Sequence, residues 1–574
     1  MPNFQITVNP LQETLEAQPG ETLRETLQRH GIHVEGPCNG QGICGQCGVW
    51  VQDPQDVPPT VHKKISAEQE KAGLRLSCRV VPQSNMTIRL PEDFSRDAQR
   101  IRDAQQILEG ERISWGRVAS AVKVFQQQGA WWLRYDHEQQ AVQLPGWRPE
   151  LEPKGLAVDL GTTSIVLTLV SLRTGEELAT ASMLNPQSRY GHDVISRIRH
   201  GSTYDGLKQL HQTASRGLNQ LIREVCSDAD SDTQDILDVV LGGNTTMLQL
   251  AACIDPSPLG EIPFRVDIQG GTSYPAERFD LRINPAARVY IPPVLHAFIG
   301  TDVTAGLLMS GDFFNDAARI LYIDVGTNGE IAINNQGQRL AASTAAGPAF
   351  EGATLTSGMR AALGAISEVY LDGLDLQVVT IGDVPAKGIC GSGIVDLMAC
   401  LLDLGIVNHT GRMKTAAEDL QISPTTRQRL ELLDGKPAIR LGKDVVFTQQ
   451  DVREIQLCKG AIRATIDILL QEAELQAGDL GRIIVAGGFG YYLKARSLER
   501  IGLVPAGAQG SIEFAGNASR SGCVWLLNDI TYRRYLEDRV SKVRHVPTAN
   551  HAQFMDRYVE CMEFPQPGSQ PCLP

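Results

Sequence analysis

Residues 155–171 read GLAVDLGTTSIVLTLVS, and residues 320–333 read ILYIDVGTNGEIAI. Each is an apolar strand that runs into an aspartate, turns through Gly-Thr and leaves as a second apolar strand. In the first, Asp159 precedes Gly161, Thr162 and Thr163; in the second, Asp324 precedes Gly326, Thr327 and Asn328, and Glu330 opens the returning strand. A turn dense in backbone N–H and hydroxyl donors beside a carboxylate is suited to holding a phosphate and, through water, its Mg2+. Two such hairpins in one chain indicate an internal duplication, with two lobes facing each other across a cleft. A third stretch, RIIVAGGFGYYL (482–493), sets Gly487, Gly488 and Gly490 after an apolar strand, where missing side chains let a flat nucleoside lie against the backbone.

In this order the three stretches resemble the phosphate-1, phosphate-2 and adenosine motifs of the actin/Hsp70/sugar-kinase ATPases. The resemblance implies two lobes, each a mixed sheet flanked by helices, with ATP between them. It also implies that Asp159 meets Mg2+ through water, that Thr162 and Thr163 hold the terminal phosphates, and that Asp324 with Gly326, Thr327 and Asn328 grips from the other lobe. Glu330 is either the residue that orients the attacking water or a salt-bridged strand carboxylate. No GxxxxGK[ST] loop is present to supply another phosphate grip. Between the motifs lie Gly-dense stretches: LGGNTTMLQL (241–250), AAGPAFEGATLTSGMRAALGAI (345–366) and GICGSGIVDLMACLL (388–402). Gly391, Ser392 and Gly393 could present N–H groups to an anion, or serve helix–strand packing. His192 and Asp193 are adjacent, so a cap or a surface position suits them better than a general-base pair. Cys390 and Cys458 read as core thiols.

A different chemistry opens the chain. Phe4, Ile6 and Val8 alternate with polar neighbours across a turn at Asn9–Pro10, and ETLRETLQRHG follows as a short helix ending at Gly31, a compact α+β order. Then comes CNGQGICGQC (38–47), which with Cys78 gives C-x5-C-x2-C…C over Cys38, Cys44, Cys47 and Cys78. Zinc sites usually come as two CxxC-like knuckles, and an intracellular chain disfavours a disulfide framework. The plant-type [2Fe–2S] spacing is C-x4-C-x2-C…C, one residue shorter in the first gap. Gly40, Gly42, Gly45 and Gly48 leave the backbone free to close around a cluster with its N–H groups toward the sulfurs. The loop resembles that of the [2Fe–2S] ferredoxins, nearer to the adrenodoxin-like branch, which implies a β-grasp electron-transfer domain.

Composition narrows the partners. The 574 residues carry 53 Lys+Arg against 66 Asp+Glu, with no basic run to track nucleic acid or an anionic membrane. No stretch approaches the ~18 apolar residues of a membrane span, and the N-terminus has no signal-peptide pattern; the expectation is a soluble, cytoplasmic protein. Residues 1–92 are expected to form the ferredoxin-like domain and 153–574 the ATPase-like unit. Residues 93–152 form a linker and small middle region, with charged, Gln-rich helix early and a small β element closing at Pro145–Gly146.

The whole order, with AAGPAFEGA, GICGSGIVDL and VAGGFG in the second unit, is similar to that of the reductive activators of corrinoid proteins. That resemblance implies ATP-dependent transfer of single electrons from the [2Fe–2S] cluster to a corrinoid methyltransferase partner, reducing Co(II) to Co(I), with an external electron donor and possible homodimerisation. Some relatives carry [4Fe–4S] cysteines near the C-terminus; here only Cys561 and Cys572 lie there. Two other readings stand beside it: a redox sensor or assembly protein with a non-hydrolytic ATPase-like platform, and an iron–sulfur oxidoreductase component with another low-potential acceptor.

Overall fold

The computed structural model describes residues 4–9, 13–18, 20–29, 47–53, 57, 65, 67–90, 118–136, 140–148, 150–191, 193–352, 354–487, 493–505, 507–508 and 510–566. The chain divides into two compact units, Met1–Asp103 with Arg189–His192, and Ala104–Ser188 with Asp193–Pro574. Among the described residues, no helix is long and apolar enough to cross a membrane.

In the first unit the alternation of Ile6 and Val8 becomes strand Phe4–Asn9, paired antiparallel with Glu13–Ala17 so that Ile6 faces Leu15. On its other side Phe4–Asn9 pairs in parallel with Met86–Arg89, and Gly48–Val51 and Leu74–Leu76 complete a five-stranded sheet. The helix Leu23–Arg29 starts where Thr22 and Glu25 cap each other: the Glu25 N–H donates to Thr22 Oγ1 at 3.2 Å and the Thr22 N–H to Glu25 Oε2 at 2.8 Å. Its Leu23 and Leu27 share one core with Ile6, Val8, Val49 and Ile88. The helix Leu23–Arg29 on a mixed five-stranded sheet, with the short helix Ala67–Lys71 preceding the strand Leu74–Leu76, is the expected β-grasp arrangement.

The charged, Gln-rich segment expected to be helical lies almost wholly outside the described residues. Beyond it, Val122–Gln127, Ala130–Tyr135 and Val142–Gln143 form a three-stranded sheet, followed by a turn in which Gly146 takes φ +80°. Among the described residues this sheet shares its core with the larger unit. Val122, Leu133, Tyr135 and Trp147 are buried in the same cluster as Val170, Leu237 and Leu527, and the Tyr135 hydroxyl donates to the Ala286 carbonyl at 3.1 Å.

The duplication is visible in the sheets. In the first lobe Lys154–Leu160, Ser164–Ser171 and Glu177–Leu184 form an antiparallel meander, and Ile236–Gly243 then Arg288–Ile291 add in parallel on the far side of the first strand. In the second, Arg319–Val325, Gly329–Asn335 and Gln338–Thr344 repeat the meander, and Arg482–Ala486 then Ser511–Gly516 repeat the parallel addition. Each lobe has one short extra edge strand, Thr272–Pro275 and Val543–His545.

After the last parallel strand the chain returns to the first lobe through the helix Ala518–Asn528. Gly155 and Gly242 allow this close packing: a Cβ at Gly155 would lie 2.9 Å from Leu527, and one at Gly242 2.7 Å from Cys523 Sγ. That return carries Asn517 and Ser519 to the first hairpin.

Candidate functional site

The tight turn of the first hairpin is fixed by its own backbone. The Gly161 N–H donates to the Ser164 carbonyl at 2.9 Å, and a Cβ at Gly161 would lie 2.8 Å from that oxygen. Two buried side chains hold the turn from outside: Asn185 Nδ2 donates to the Gly161 carbonyl at 2.8 Å and Arg197 Nη2 to the Thr162 carbonyl at 2.6 Å. In the second hairpin the Gly326 N–H donates to the Asn328 carbonyl at 3.0 Å, and the Gly347 N–H to the Thr327 carbonyl at 2.9 Å. The two turns meet: Thr163 Oγ1 and Thr327 Oγ1 are 3.3 Å apart.

Around this meeting point stand carboxylates from both lobes. Asp159 ends its strand accepting hydrogen bonds from Asn517 Nδ2 at 2.9 Å and Ser519 Oγ at 2.8 Å. Asp324 is the cross-strand partner of Glu330, and Asp302 sits in the first turn of the helix Thr301–Met309. Glu351 accepts from Thr327 Oγ1 at 3.2 Å and from Thr163 Oγ1 at 3.4 Å. Burial raises every one of these acids above the ordinary carboxylate range. It lifts Asp302 and Asp324 to about 7, with the neighbouring Asp159 charge adding to both and the Asp302 charge to Asp324. Asp159 is raised by burial against the opposing Ser519 and Asn517 hydrogen bonds. Glu330 is raised by burial and then by Asp302 and Asp324, while Glu351 is raised by burial with Arg360 opposing. Carboxylates crowded this way either keep protons or share a cation. An all-oxygen set of carboxylates and hydroxyls has the chemistry of a Mg2+–phosphate site.

Gly487 closes its strand at φ +122°, with its N–H donating to the Gly516 carbonyl at 3.0 Å; a Cβ there would lie 2.3 Å from the Val325 carbonyl. Gly488 and Gly490 lie outside the described residues. Gly393 is a packing glycine, since its Cβ would meet the Ile366 carbonyl at 2.1 Å, and Ser392 Oγ donates to the Ser367 carbonyl at 2.7 Å. Asp193 caps the helix Val194–Gly201 by accepting from the Ser196 N–H at 2.7 Å; His192 lies outside the described residues. Cys390 and Cys458 are buried free thiols.

Glu351, Asp302, Asn517 and Ser519 were not among the residues the motifs singled out. Glu351 lies in AAGPAFEGA, noticed only for its glycines. Asp302 follows Gly300 and Thr301 at a helix start, a faint echo of the hairpin turns. Asn517 and Ser519 carry no local signal, because their partner lies more than 350 positions earlier.

Of the four cysteines in the opening motif, Cys38 and Cys44 lie outside the described residues. Cys47 and Cys78 are buried and form no disulfide, with their sulfurs 3.2 Å apart. That exceeds the ~2.0 Å of a disulfide and is near the ~3.7 Å between thiolates sharing one tetrahedral ion at ~2.3 Å bonds. The Ser77 N–H, donating to the Cys47 carbonyl at 2.8 Å, brings the two segments together. Two buried thiols so placed fit an iron–sulfur cluster.

Comparison with known proteins agrees along the chain. Residues 6–83 match the 2Fe-2S iron-sulfur cluster binding domain, 154–312 the RACo middle region, and 318–572 the C-terminal domain of RACo, the ASKHA domain. The corrinoid activation enzyme RamQ of Eubacterium limosum is 34% identical over 425 residues, covering 72% of this chain and 71% of RamQ. The [Co(II) methylated amine-specific corrinoid protein] reductase of Methanosarcina barkeri is 26% identical over 431 residues, covering 69% and 73% of the respective chains. The solved structure of a reductive activator for corrinoid, iron-sulfur protein superposes with a TM-score of 0.71 at 26% identity, over 98% of both chains. The chain belongs to the family of corrinoid reductive activators, with a 2Fe-2S domain followed by RACo-type middle and ASKHA regions.

Proposed function

We propose that this chain delivers single electrons to the Co(II) form of a corrinoid methyltransferase protein, taking it to Co(I), and that Mg–ATP turnover in the cleft drives the delivery. The observation that carries this reading is the meeting of Thr163 and Thr327, hydroxyls of duplicated hairpins, 3.3 Å apart with the Glu351 carboxylate against both. When bound, a [2Fe–2S] cluster supplies one-electron storage and Mg–ATP supplies free energy. Each ~59 mV of one-electron shortfall costs ~1.4 kcal/mol, so a reluctant acceptor a few hundred mV away is within reach of coupled hydrolysis.

The chain's own residues divide the work. Cys38, Cys44, Cys47 and Cys78 hold the cluster in a domain spanning 1–92. Residues 93–152 connect it to the ATPase-like unit, 153–574. There Gly161, Thr162, Thr163, Gly326, Thr327 and Asn328 bind the phosphates with N–H and hydroxyl donors, and Gly487, Gly488 and Gly490 admit the nucleoside. Asp159 and Asp324 hold Mg2+ from the two lobes, Asp159 oriented by Asn517 and Ser519. Glu330, the cross-strand partner of Asp324, is the candidate for orienting water. The reading includes an external electron donor, a cytoplasmic setting and homodimerisation.

The test separates the two halves. Cys78→Ala should remove the visible [2Fe–2S] absorbance and Co(I) formation while leaving Mg–ATP binding unchanged. Co(I) formation at the wild-type rate by that variant would refute the electron route.

A further inference from the structure

The two hydroxyls assigned to a nucleotide's terminal phosphate are already engaged. Thr327 Oγ1 lies 3.2 Å from both Glu351 carboxylate oxygens, and Thr163 Oγ1, from the other lobe, lies 3.4 Å from Glu351 Oε2. A threonine hydroxyl has one proton to donate, so a hydroxyl donating to Glu351 has none left for a phosphate oxygen. A carboxylate and a terminal phosphate are also both anionic oxygen acceptors. Glu351 and a terminal phosphate therefore compete for the same donors and repel each other.

We propose that Glu351 is a clasp: it occupies the terminal-phosphate position, ties one hydroxyl of each lobe together, and must be displaced when a nucleoside triphosphate binds. The proposal rests on the reading of the cleft as a nucleotide site. Its position suits displacement. Glu351 ends the short turn Pro348–Glu351, and Gly352 follows at φ +77°, a conformation open to glycine. Glu351 is a positioning residue that discriminates by phosphate number, because displacing it is needed for the terminal phosphate and not for the nucleoside.

The experiment measures the affinities of the full-length protein for Mg–ATP and Mg–ADP, by equilibrium titration, in wild type, Glu351→Ala and Glu351→Gln. Glu351→Ala should tighten ATP about tenfold and ADP less than about threefold, and lower the melting temperature of the nucleotide-free protein as the tie is lost. Glu351→Gln keeps an acceptor oxygen but not the charge, and should give an intermediate ATP/ADP ratio with a melting temperature near wild type. An unchanged ratio in both variants, or weaker ATP binding, overturns the clasp while leaving the nucleotide site intact. Failure of the wild-type protein to bind either nucleotide overturns the site and the clasp with it.

Discussion

The two hairpins share a plan and differ in their surroundings. Asp159 and Asp324 stand one residue from the end of equivalent strands, ahead of a Gly-Thr turn, yet Asp159 is held by two donors, Asn517 and Ser519, whereas Asp324 is raised by burial and then by the charges of Asp302, Asp159 and Glu351. The two sheets share a backbone frame, and the contacts around the two aspartates differ. In the first lobe the acid is oriented by neutral donors brought back by the helix Ala518–Asn528. In the second it is one of several buried acids that raise one another. Under the proposed function, the oriented carboxylate and the crowded one are the two halves of the Mg2+ site.

The contrast predicts stability changes of unequal size. Asp324→Asn should lower ATP-dependent Co(I) formation by at least ~100-fold, yet raise the melting temperature of the nucleotide-free protein at pH 8, since a buried, crowded charge is removed. Asp159→Asn should also impair activation but raise the melting temperature less, because the Ser519 and Asn517 hydrogen bonds that favour its ionised form are weakened as the charge is removed. Thermal melts that move the two variants equally would break the contrast.

A smaller effect follows from pH. Asp302 and Asp324 are raised to about 7 in the folded protein, well above the ~3.9 of an unfolded aspartate. Their contribution to stability is full below about pH 4 and is lost as pH rises through about 7. Mg2+ should restore it, so the Mg2+-induced rise in melting temperature should exceed that at pH 6 by about 2 °C or more at pH 8. Equal rises at the two pH values would show that the acids do not share the ion. The smallest effect separates the hydroxyls: Thr327→Val should weaken Mg–ATP by about 1 kcal/mol, roughly fivefold, and Thr163→Val by a similar or smaller amount. Titration showing no loss for either would remove the hydroxyls from the phosphate site.

What could be read in advance followed from local pattern. The paired hairpins were legible because alternating strands, an aspartate and a Gly-Thr turn lie within some fifteen residues, and the ferredoxin loop because three of its cysteines lie within ten. Glu351 was hidden because a carboxylate among glycines has no distinguishing spacing. Asn517 and Ser519 were hidden because their role depends on a helix crossing back to the first lobe. The small sheet around Trp131 and Tyr135 was expected as a small β element closing at Pro145–Gly146, and its apolar face packs into the larger unit because three short strands bury little of their own.

The central claim is that nucleotide turnover drives the electron to cobalt. It is tested most directly by mixing the dithionite-reduced protein with a Co(II) corrinoid carrier and following Co(I) absorbance with and without Mg–ATP. Co(I) should accumulate with Mg–ATP and remain near its starting level without it. Equal accumulation in the two arms would contradict the account.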